Sequence, residues 1–125
     1  MRKTLTIRIK PLGEAMGEFR QAFRAVEAGH RVTRREGVYF TSIEAARNLL
    51  TPSRLALLRA IRAKRPRSIY ELAKAVGRDF KNVQEDLRLL ERYGLVRMTR
   101  ARGRSARRAI VPDALFGEIA LKIAI

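Results

Sequence analysis

The stretch SIYELAKAVGRDFKNVQEDLRLLERYGLV, residues 68–96, carries the densest structural signal in the sequence. Ser68 and Glu71 have the spacing of a capping box, which starts a helix by satisfying its first unpaired N–H groups. Gly77 is a favourable helix stop, because glycine adopts the left-handed conformation without steric cost. Ala73 and Gly77 are also small, which lets a following helix pack closely. The stretch therefore begins with a short helix and a tight turn.

A second helix follows this turn. It is predicted from Phe80 to Tyr93, with Asp79 as a candidate cap and Gly94 after its end. Apolar residues recur at intervals of three and four, as expected for a helix with one buried face. The residues predicted to be buried are Phe80, Val83, Leu87 and Leu90. The stretch thus predicts a helix, a turn and a second helix.

Strand patterns lie after the second helix. LVRMT (95–99) and RRAIVP (107–112) predict two short strands. The segment between them, TRARGRSARR (99–108), has five arginines around Gly103 and no acidic residue, and we interpret it as a hairpin loop. EIALKIAI (118–125) alternates apolar and polar residues and predicts a terminal strand. Its apolar side would carry Ile119, Leu121, Ile123 and Ile125.

Another helix is predicted immediately before residue 68. Thr51 is a suitable cap, and Pro52 fits the first helical position, where its missing N–H costs nothing. This helix should run to about Lys64, because Pro66 breaks it. Its predicted core-facing residues are Leu55, Leu58 and Ile61.

The first fifty residues show weaker patterns. KTLTIRIK (3–10) alternates apolar and polar residues and predicts a half-buried strand, whereas helical spacing predicts a helix over 14–28. GVYFTS (37–42) predicts a short strand. Thr41 begins a capping-box pattern, so a short helix should follow and end near Leu50.

Composition limits the classes of function. The 125 residues carry a net charge of +16, from 28 basic and 12 acidic residues, and the natural partner of such a chain is a polyanion. The sequence shows neither a membrane span nor the apolar run of a signal peptide, so we expect a cytoplasmic protein with no membrane partner. With no cysteine and only His30, we expect no metal or cofactor. No spaced carboxylate pair or phosphate-binding glycine loop occurs, so we do not expect an enzyme.

Residues 51–112 resemble the winged helix-turn-helix of MarR-type and ArsR-type transcriptional regulators. ELAKAVG is similar to the positioning helix of that family, and the pattern V..DL..LE..GLV is similar to its recognition helix running into the first wing strand. The resemblance implies an α+β fold with a winged DNA-binding domain over 51–112. We expect an N-terminal strand and helix extension over 1–50, used for dimerisation or partner binding, and a C-terminal strand within 113–125.

The resemblance places DNA contacts on two elements. The outward polar side of the recognition helix can reach base edges and phosphates in the major groove. Its candidates are Lys81, Asn82, Gln84 and Arg88. The arginine loop takes the position of the wing, and arginine suits the backbone or a narrow minor groove. Its candidates are Arg100, Arg102, Arg104, Arg107 and Arg108. Four other arginines either enlarge the surface that contacts DNA or are only solvated: Arg54, Arg59, Arg62 and Arg67.

Two features depart from the family pattern. Arg78 stands where the family usually has an apolar residue, and we expect Phe80 to supply the missing core volume. Glu85 and Asp86 put negative charge on the recognition helix. These acids either accept hydrogen bonds from cytosine amino groups or form surface ion pairs with Arg78 or Arg88, and we favour the ion pairs.

The dimer interface is left open by the sequence. Proteins of the resembled family dimerise through helices flanking the winged domain, but no C-terminal helix pattern is present here. A homodimer would use the N-terminal strand and helix, the terminal strand, or both, so that two recognition helices meet half-sites of double-stranded DNA. The terminal strands either form a sheet between subunits or pack within their own subunit.

The predicted function is a sequence-specific DNA-binding transcriptional regulator, a repressor that binds operator DNA as a dimer. One alternative is the DNA-binding antitoxin of a toxin-antitoxin pair, in which the N-terminal region would bind the toxin. A second alternative is an RNA-binding or architectural chromatin protein that uses its charge without reading bases.

Overall fold

The structure, a computed structural model, describes residues 3–10, 38–101 and 109–125. In chain order, the helices and strands of these ranges are β1 (Thr4–Ile9), β2 (Val38–Phe40), α1 (Ile43–Leu49), α2 (Pro52–Lys64), α3 (Ile69–Val76), α4 (Phe80–Arg92), β3 (Val96–Arg100), β4 (Ile110–Ala114) and β5 (Glu118–Ile123). The predicted α+β class is confirmed. The predicted helix over 14–28 lies outside the described residues.

The chain divides into two compact units. The first consists of Met1–Lys3 and Leu49–Gly117, and the second consists of Thr4–Asn48 and Glu118–Ile125. The first unit therefore holds α2, α3, α4 and the β3–β4 pair. The second holds the three-stranded sheet of β2, β1 and β5.

The helix caps of the first unit explain where α2 and α3 begin. The Thr51 hydroxyl accepts a hydrogen bond from the Arg54 N–H at 3.2 Å, and the Ser68 hydroxyl accepts one from the Glu71 N–H at 3.0 Å. Each bond satisfies an N–H group that has no partner within the helix. At the end of α3, Gly77 has a φ of 66°, in the left-handed region that favours glycine. These predicted starts and stops are confirmed.

Two cap predictions differ from the structure. The helix α1 is capped by Ser42, whose hydroxyl accepts a bond from the Ala45 N–H at 3.2 Å, so the assignment of the cap to Thr41 was wrong by one residue. Both residues carry a hydroxyl, and the spacing alone does not distinguish them. Asp79 precedes α4 in an extended conformation, but its side chain makes no capping bond.

The core of the first unit is formed by one face of each helix and the start of β3. Val83, Leu87 and Leu90 of α4 are completely buried, as predicted. Leu57 is the fully buried residue of α2, whereas the predicted Leu55 is only half-buried. The other buried apolar residues of this unit include Ile61, Ile69, Leu72, Ala73, Leu95 and Val96.

Phe80 is not part of this core. Its residue surface is 42% exposed, so the prediction that it fills the volume beside Arg78 was wrong. Phe80 is the first residue of α4 and lies beyond the buried residues of that helix. The first buried residue of α4 is therefore Val83.

The two strands that follow α4 form an antiparallel pair. Their register places Val96 opposite Ala114 and Arg100 opposite Ile110. The two predicted strands are thus confirmed, although β4 extends to Ala114, two residues beyond the predicted end. The tip of the arginine loop, 102–108, lies outside the described residues.

The second unit is built on β1. This strand pairs in parallel with β2 on one side and with β5 on the other. Its alternating residues Leu5, Ile7 and Ile9 are buried, which confirms the half-buried strand predicted from the pattern. β1 is thus the central strand of this sheet, with a neighbour from the same chain along each edge.

The corrected core leads to a direct test of stability. Leu87→Ala should lower the free energy of unfolding by about 2–5 kcal/mol, because it leaves a cavity in a fully buried site. Phe80→Ala removes a larger side chain but should cost clearly less, because Phe80 is 42% exposed. Urea denaturation followed by circular dichroism measures both values. Equal losses in the free energy of unfolding would show that Phe80 contributes to the core as much as Leu87 does.

Candidate nucleic-acid interface

The outward side of α4 carries a row of long polar side chains. With about 100° between successive residues of a helix, positions 81, 85, 88 and 92 fall on one line opposite the buried stripe of α4. All four residues are exposed. We call this row the α4 strip, and its members are Lys81, Glu85, Arg88 and Arg92. Three cations therefore surround one acid on the side of α4 that faces away from the core.

The four α4 residues predicted to contact DNA do not lie together. Lys81 and Arg88 belong to the α4 strip, but Asn82 and Gln84 lie on its opposite flanks, about 160° apart around the helix. Asn82 is exposed and Gln84 is half-buried. The two neutral side chains therefore point in different directions from one helix.

Arg92 was missed by the sequence prediction. It follows Arg88 by four residues and so lies on the same side of α4. The helical spacing that identified Val83, Leu87 and Leu90 as the inward side could have found it. Arg92 is one turn of the helix beyond Arg88, the last residue of α4 predicted to contact DNA.

Asp86 is held by two arginines from different elements. Its Oδ2 accepts a hydrogen bond from Nη2 of Arg78 at 2.8 Å, and its Oδ1 accepts one from Nε of Arg54 at 3.2 Å. The Asp86 side chain is only 16% exposed, so these charge-assisted bonds are partly shielded from water. Asp86 thus connects α4 with α2 and with the turn between α3 and α4.

This cluster explains why Arg78 occupies an ordinarily apolar position. The predicted pairing of Asp86 with Arg78 is confirmed, but the partner Arg54 was missed, and the pair is half-buried rather than an ordinary surface pair. Nη1 of Arg78 is buried and has no hydrogen-bond partner in the described part of the chain. Glu85 differs from Asp86, because within 38–101 and the other described ranges it makes no ion pair.

A cationic groove lies between the end of α2 and the β3–β4 pair. It has a volume of about 610 Å³, and its walls include Arg62, Arg65 and Arg67 on one side and Thr99 and Asp113 on the other. Arg65 has a φ of 45°, in the left-handed region that non-glycine residues rarely adopt, and its N–H bonds the carbonyl of Ile61. Three arginines and one aspartate thus line the groove.

The remaining predicted arginines have different surroundings. Arg100 is exposed at the end of β3, next to the groove residue Ala101. Arg102, Arg104, Arg107 and Arg108 lie outside the described residues. Of the four arginines with an open role, Arg62 and Arg67 line the groove, Arg59 is exposed on α2 away from it, and Arg54 is engaged with Asp86.

An exposed aromatic residue on α3 was also missed. Tyr70 is 60% exposed, and Nζ of Lys74 lies 5.3 Å from the centre of its ring. Such a contact between a cation and an aromatic face is worth about 0.5–1 kcal/mol at an exposed site. The spacing of four residues on a helix could have indicated the pair.

Two kinds of site are not found in the described ranges. No three or more side chains of His, Cys, Asp or Glu come together there as metal ligands. No helix among those residues has the length and apolar content needed to cross a membrane.

Fold and site together define a basic α+β protein whose first unit displays cationic side chains from a helix and from the base of a two-stranded hairpin. A protein-family model described as HVO_A0114 matches residues 49–114, more than half of the chain, and the chain belongs to this family. The matched range lies within Leu49–Gly117, the main segment of the first unit. No curated protein and no solved structure matches the chain.

The Asp86 cluster should contribute to the stability of the first unit. Asp86→Asn removes the charged acceptor and leaves two half-buried guanidinium groups without it, so we expect a loss of about 2 kcal/mol in the free energy of unfolding. Glu85→Gln, the matched control on the adjacent exposed residue, should change it by less than about 0.5 kcal/mol. Urea titrations of both variants measure the difference. Similar values for the two would show that the cluster adds no stability.

Proposed function

We propose that the protein is a sequence-specific DNA-binding transcriptional regulator and that its first unit is a winged helix-turn-helix domain. The observation that carries the proposal is the sequence of α3, a left-handed turn at Gly77, α4 with an exposed basic strip, and the β3–β4 pair. In such a domain α3 positions α4 for the major groove, and the hairpin serves as the wing.

The dimensions of α4 agree with this role. A helix with its side chains is about 10–12 Å across, and the major groove of B-DNA is about 12 Å wide. The burial of Val83, Leu87 and Leu90 fixes the opposite side of α4 as the side available to a ligand. A helix of 13 residues presents the α4 strip along its whole length.

Charge and position suggest separate roles along α4. We assign phosphate contacts to the cations of the strip, Lys81, Arg88 and Arg92. Asn82 and Gln84 are neutral and can pair with the donor and acceptor edge of adenine. Because they lie on opposite flanks, their contacts should fall on different base pairs. Each side chain would then specify a different position of the operator.

Glu85 makes no ion pair within the described residues, so we assign its carboxylate a role in binding DNA. A carboxylate in the centre of the α4 strip repels phosphate, but it can accept a hydrogen bond from the amino group of cytosine. Asp86 is instead engaged in half-buried ion pairs, with Arg78 and Arg54 as its partners. We therefore assign base readout to Glu85 and a structural role to Asp86.

The wing and the groove supply affinity for the DNA backbone. Arg100 on β3 leads into the arginine loop, and the groove places Arg62 and Arg67 beside the base of the same hairpin. Guanidinium groups in this arrangement suit successive phosphates or a narrow minor groove. With a net charge of +16, binding should depend strongly on salt. We propose that the protein acts as a homodimeric repressor in the cytoplasm, associated with the nucleoid.

Base readout is tested with the two neutral residues of α4. If Asn82 or Gln84 makes a bidentate base contact, its alanine variant should lose about 1–3 kcal/mol in binding operator DNA, whereas random DNA should bind almost as before. Because the residues flank the strip, the two variants should relax specificity at different base pairs. Selection of binding sites from random DNA identifies the operator, and titrations at one fixed salt concentration measure the losses.

The control for this experiment is Glu91→Ala, an exposed residue of α4 outside the α4 strip. It should keep the preference for the operator, and circular dichroism should show that the helix persists in every variant. Full operator preference in both the Asn82 and Gln84 variants would contradict base readout at these positions. That result would favour an architectural or RNA-binding protein.

The wing is tested through the salt dependence of binding. Replacing Arg102 and Arg104 together by alanine should weaken binding to operator and random DNA by similar factors, and the slope against salt should fall by roughly 0.9 for each phosphate that is no longer neutralised. Replacing Lys3 and Arg47 together is the matched control, because both are exposed and neither is a candidate DNA contact. Identical slopes for the two double variants would exclude a specific role of the wing in binding phosphate.

A further inference from the structure

β5 is an edge strand of the three-stranded sheet. β5 pairs with β1 along one edge, and no strand of the described residues pairs with the other. Leu121 and Ile123 are 50% and 53% exposed, although their register neighbours in β1, Ile7 and Ile9, are buried. An edge strand with exposed apolar side chains is a template on which another strand can pair. The apolar side of the sheet is thus incomplete at β5.

The opposite side of β5 has an unbalanced charge. The parallel register places Arg8 of β1 directly beside Lys122, and both side chains are exposed. Like charges on neighbouring strands repel each other. Among the described residues neither cation forms an ion pair with an acid. At the other end of β5, Glu118 accepts a hydrogen bond from the Thr4 hydroxyl at 2.9 Å. An acid on the open edge beside Lys122 would relieve the repulsion.

We propose that β5 pairs with β5 of a second copy of this chain, antiparallel about a two-fold axis at Ala120. In this register Glu118 lies opposite Lys122 of the partner subunit, and Lys122 lies opposite Glu118 of the partner subunit. On the apolar side, Ile119 lies opposite Leu121 of the partner subunit. The two three-stranded sheets then form one continuous sheet.

The choice of a second copy follows from the symmetry of the strand. Glu118 and Lys122 stand at equal distances from Ala120 in sequence, so a two-fold axis forms both opposite-charge pairs at once. The same axis places the exposed Leu121 of each copy against Ile119 of the partner subunit, which removes apolar surface from water. The interface contains no residue of α4 or of the groove. It specifies the homodimer of the proposed function, and it can be measured without DNA.

The test exchanges the charges on β5 and measures self-association by sedimentation equilibrium at low salt. Glu118→Lys and Lys122→Glu should each weaken the homodimer about tenfold, because both cross-strand pairs become like-charge pairs. A mixture of the two variants should form a heterodimer about as tight as the native homodimer, since every pair is again of opposite sign. The double variant E118K/K122E should likewise recover native association.

The control is Glu44→Lys, which makes the same charge change on an exposed residue of α1 and should associate like the native protein. Thermal unfolding confirms that each variant is folded. Lys122→Glu places an acid beside Arg8, so its fold should be kept even if Glu118→Lys loses stability with the Thr4 bond. A monomeric native protein, native association of Lys122→Glu, or a mixture no tighter than its components would each overturn the proposal. Operator binding by α4 is measured separately, so neither result decides the other.

Discussion

The rotation of α4 about its own axis is the constraint on which the candidate site depends. On the inner side, Val83, Leu87 and Leu90 are completely buried and fix which side of the helix is available to a ligand. On one flank, Asp86 is bonded to guanidinium groups from α2 and from the turn before α4. Burial opposes any rotation of α4 that would expose its apolar side to water. The hydrogen bonds of Asp86 are directional, so they also oppose smaller rotations of α4 that would leave this side buried. Together they fix the direction in which every polar side chain of α4 points.

Much of the first unit could be predicted from the sequence, because its signals are local. Thr51, Ser68 and Gly77 act on the backbone within one helical turn, so the ends of α2 and α3 follow from a few neighbouring residues. The buried side of α4 follows from its period. Leu57 was missed because apolar residues at 55–58 give α2 no single preferred side. In that segment the inward side is chosen by the neighbouring helices.

Long-range contacts account for what the sequence did not predict. Arg54 and Asp86 are 32 residues apart, and neither spacing nor composition brings them together. The alternation in β1 and β5 predicted two strands, but not that they would be parallel neighbours in one sheet. Strand partners are determined by the path of the whole chain. The α4 strip, in contrast, follows from helical geometry alone, which also places Arg92 on it.

The position of β1 has a consequence for the order in which the protein is made. β1 is synthesised well before its neighbour β5, because Thr4 and Glu118 are 114 positions apart in the sequence. Leu49–Gly117 is complete before β5 has been translated, and folding by domains during synthesis is common. The second unit, in contrast, gains its third strand only after Glu118–Ile123 has been translated. Until then one edge of β1 lacks its native neighbour, so the sheet of the second unit is completed after the first unit has been synthesised.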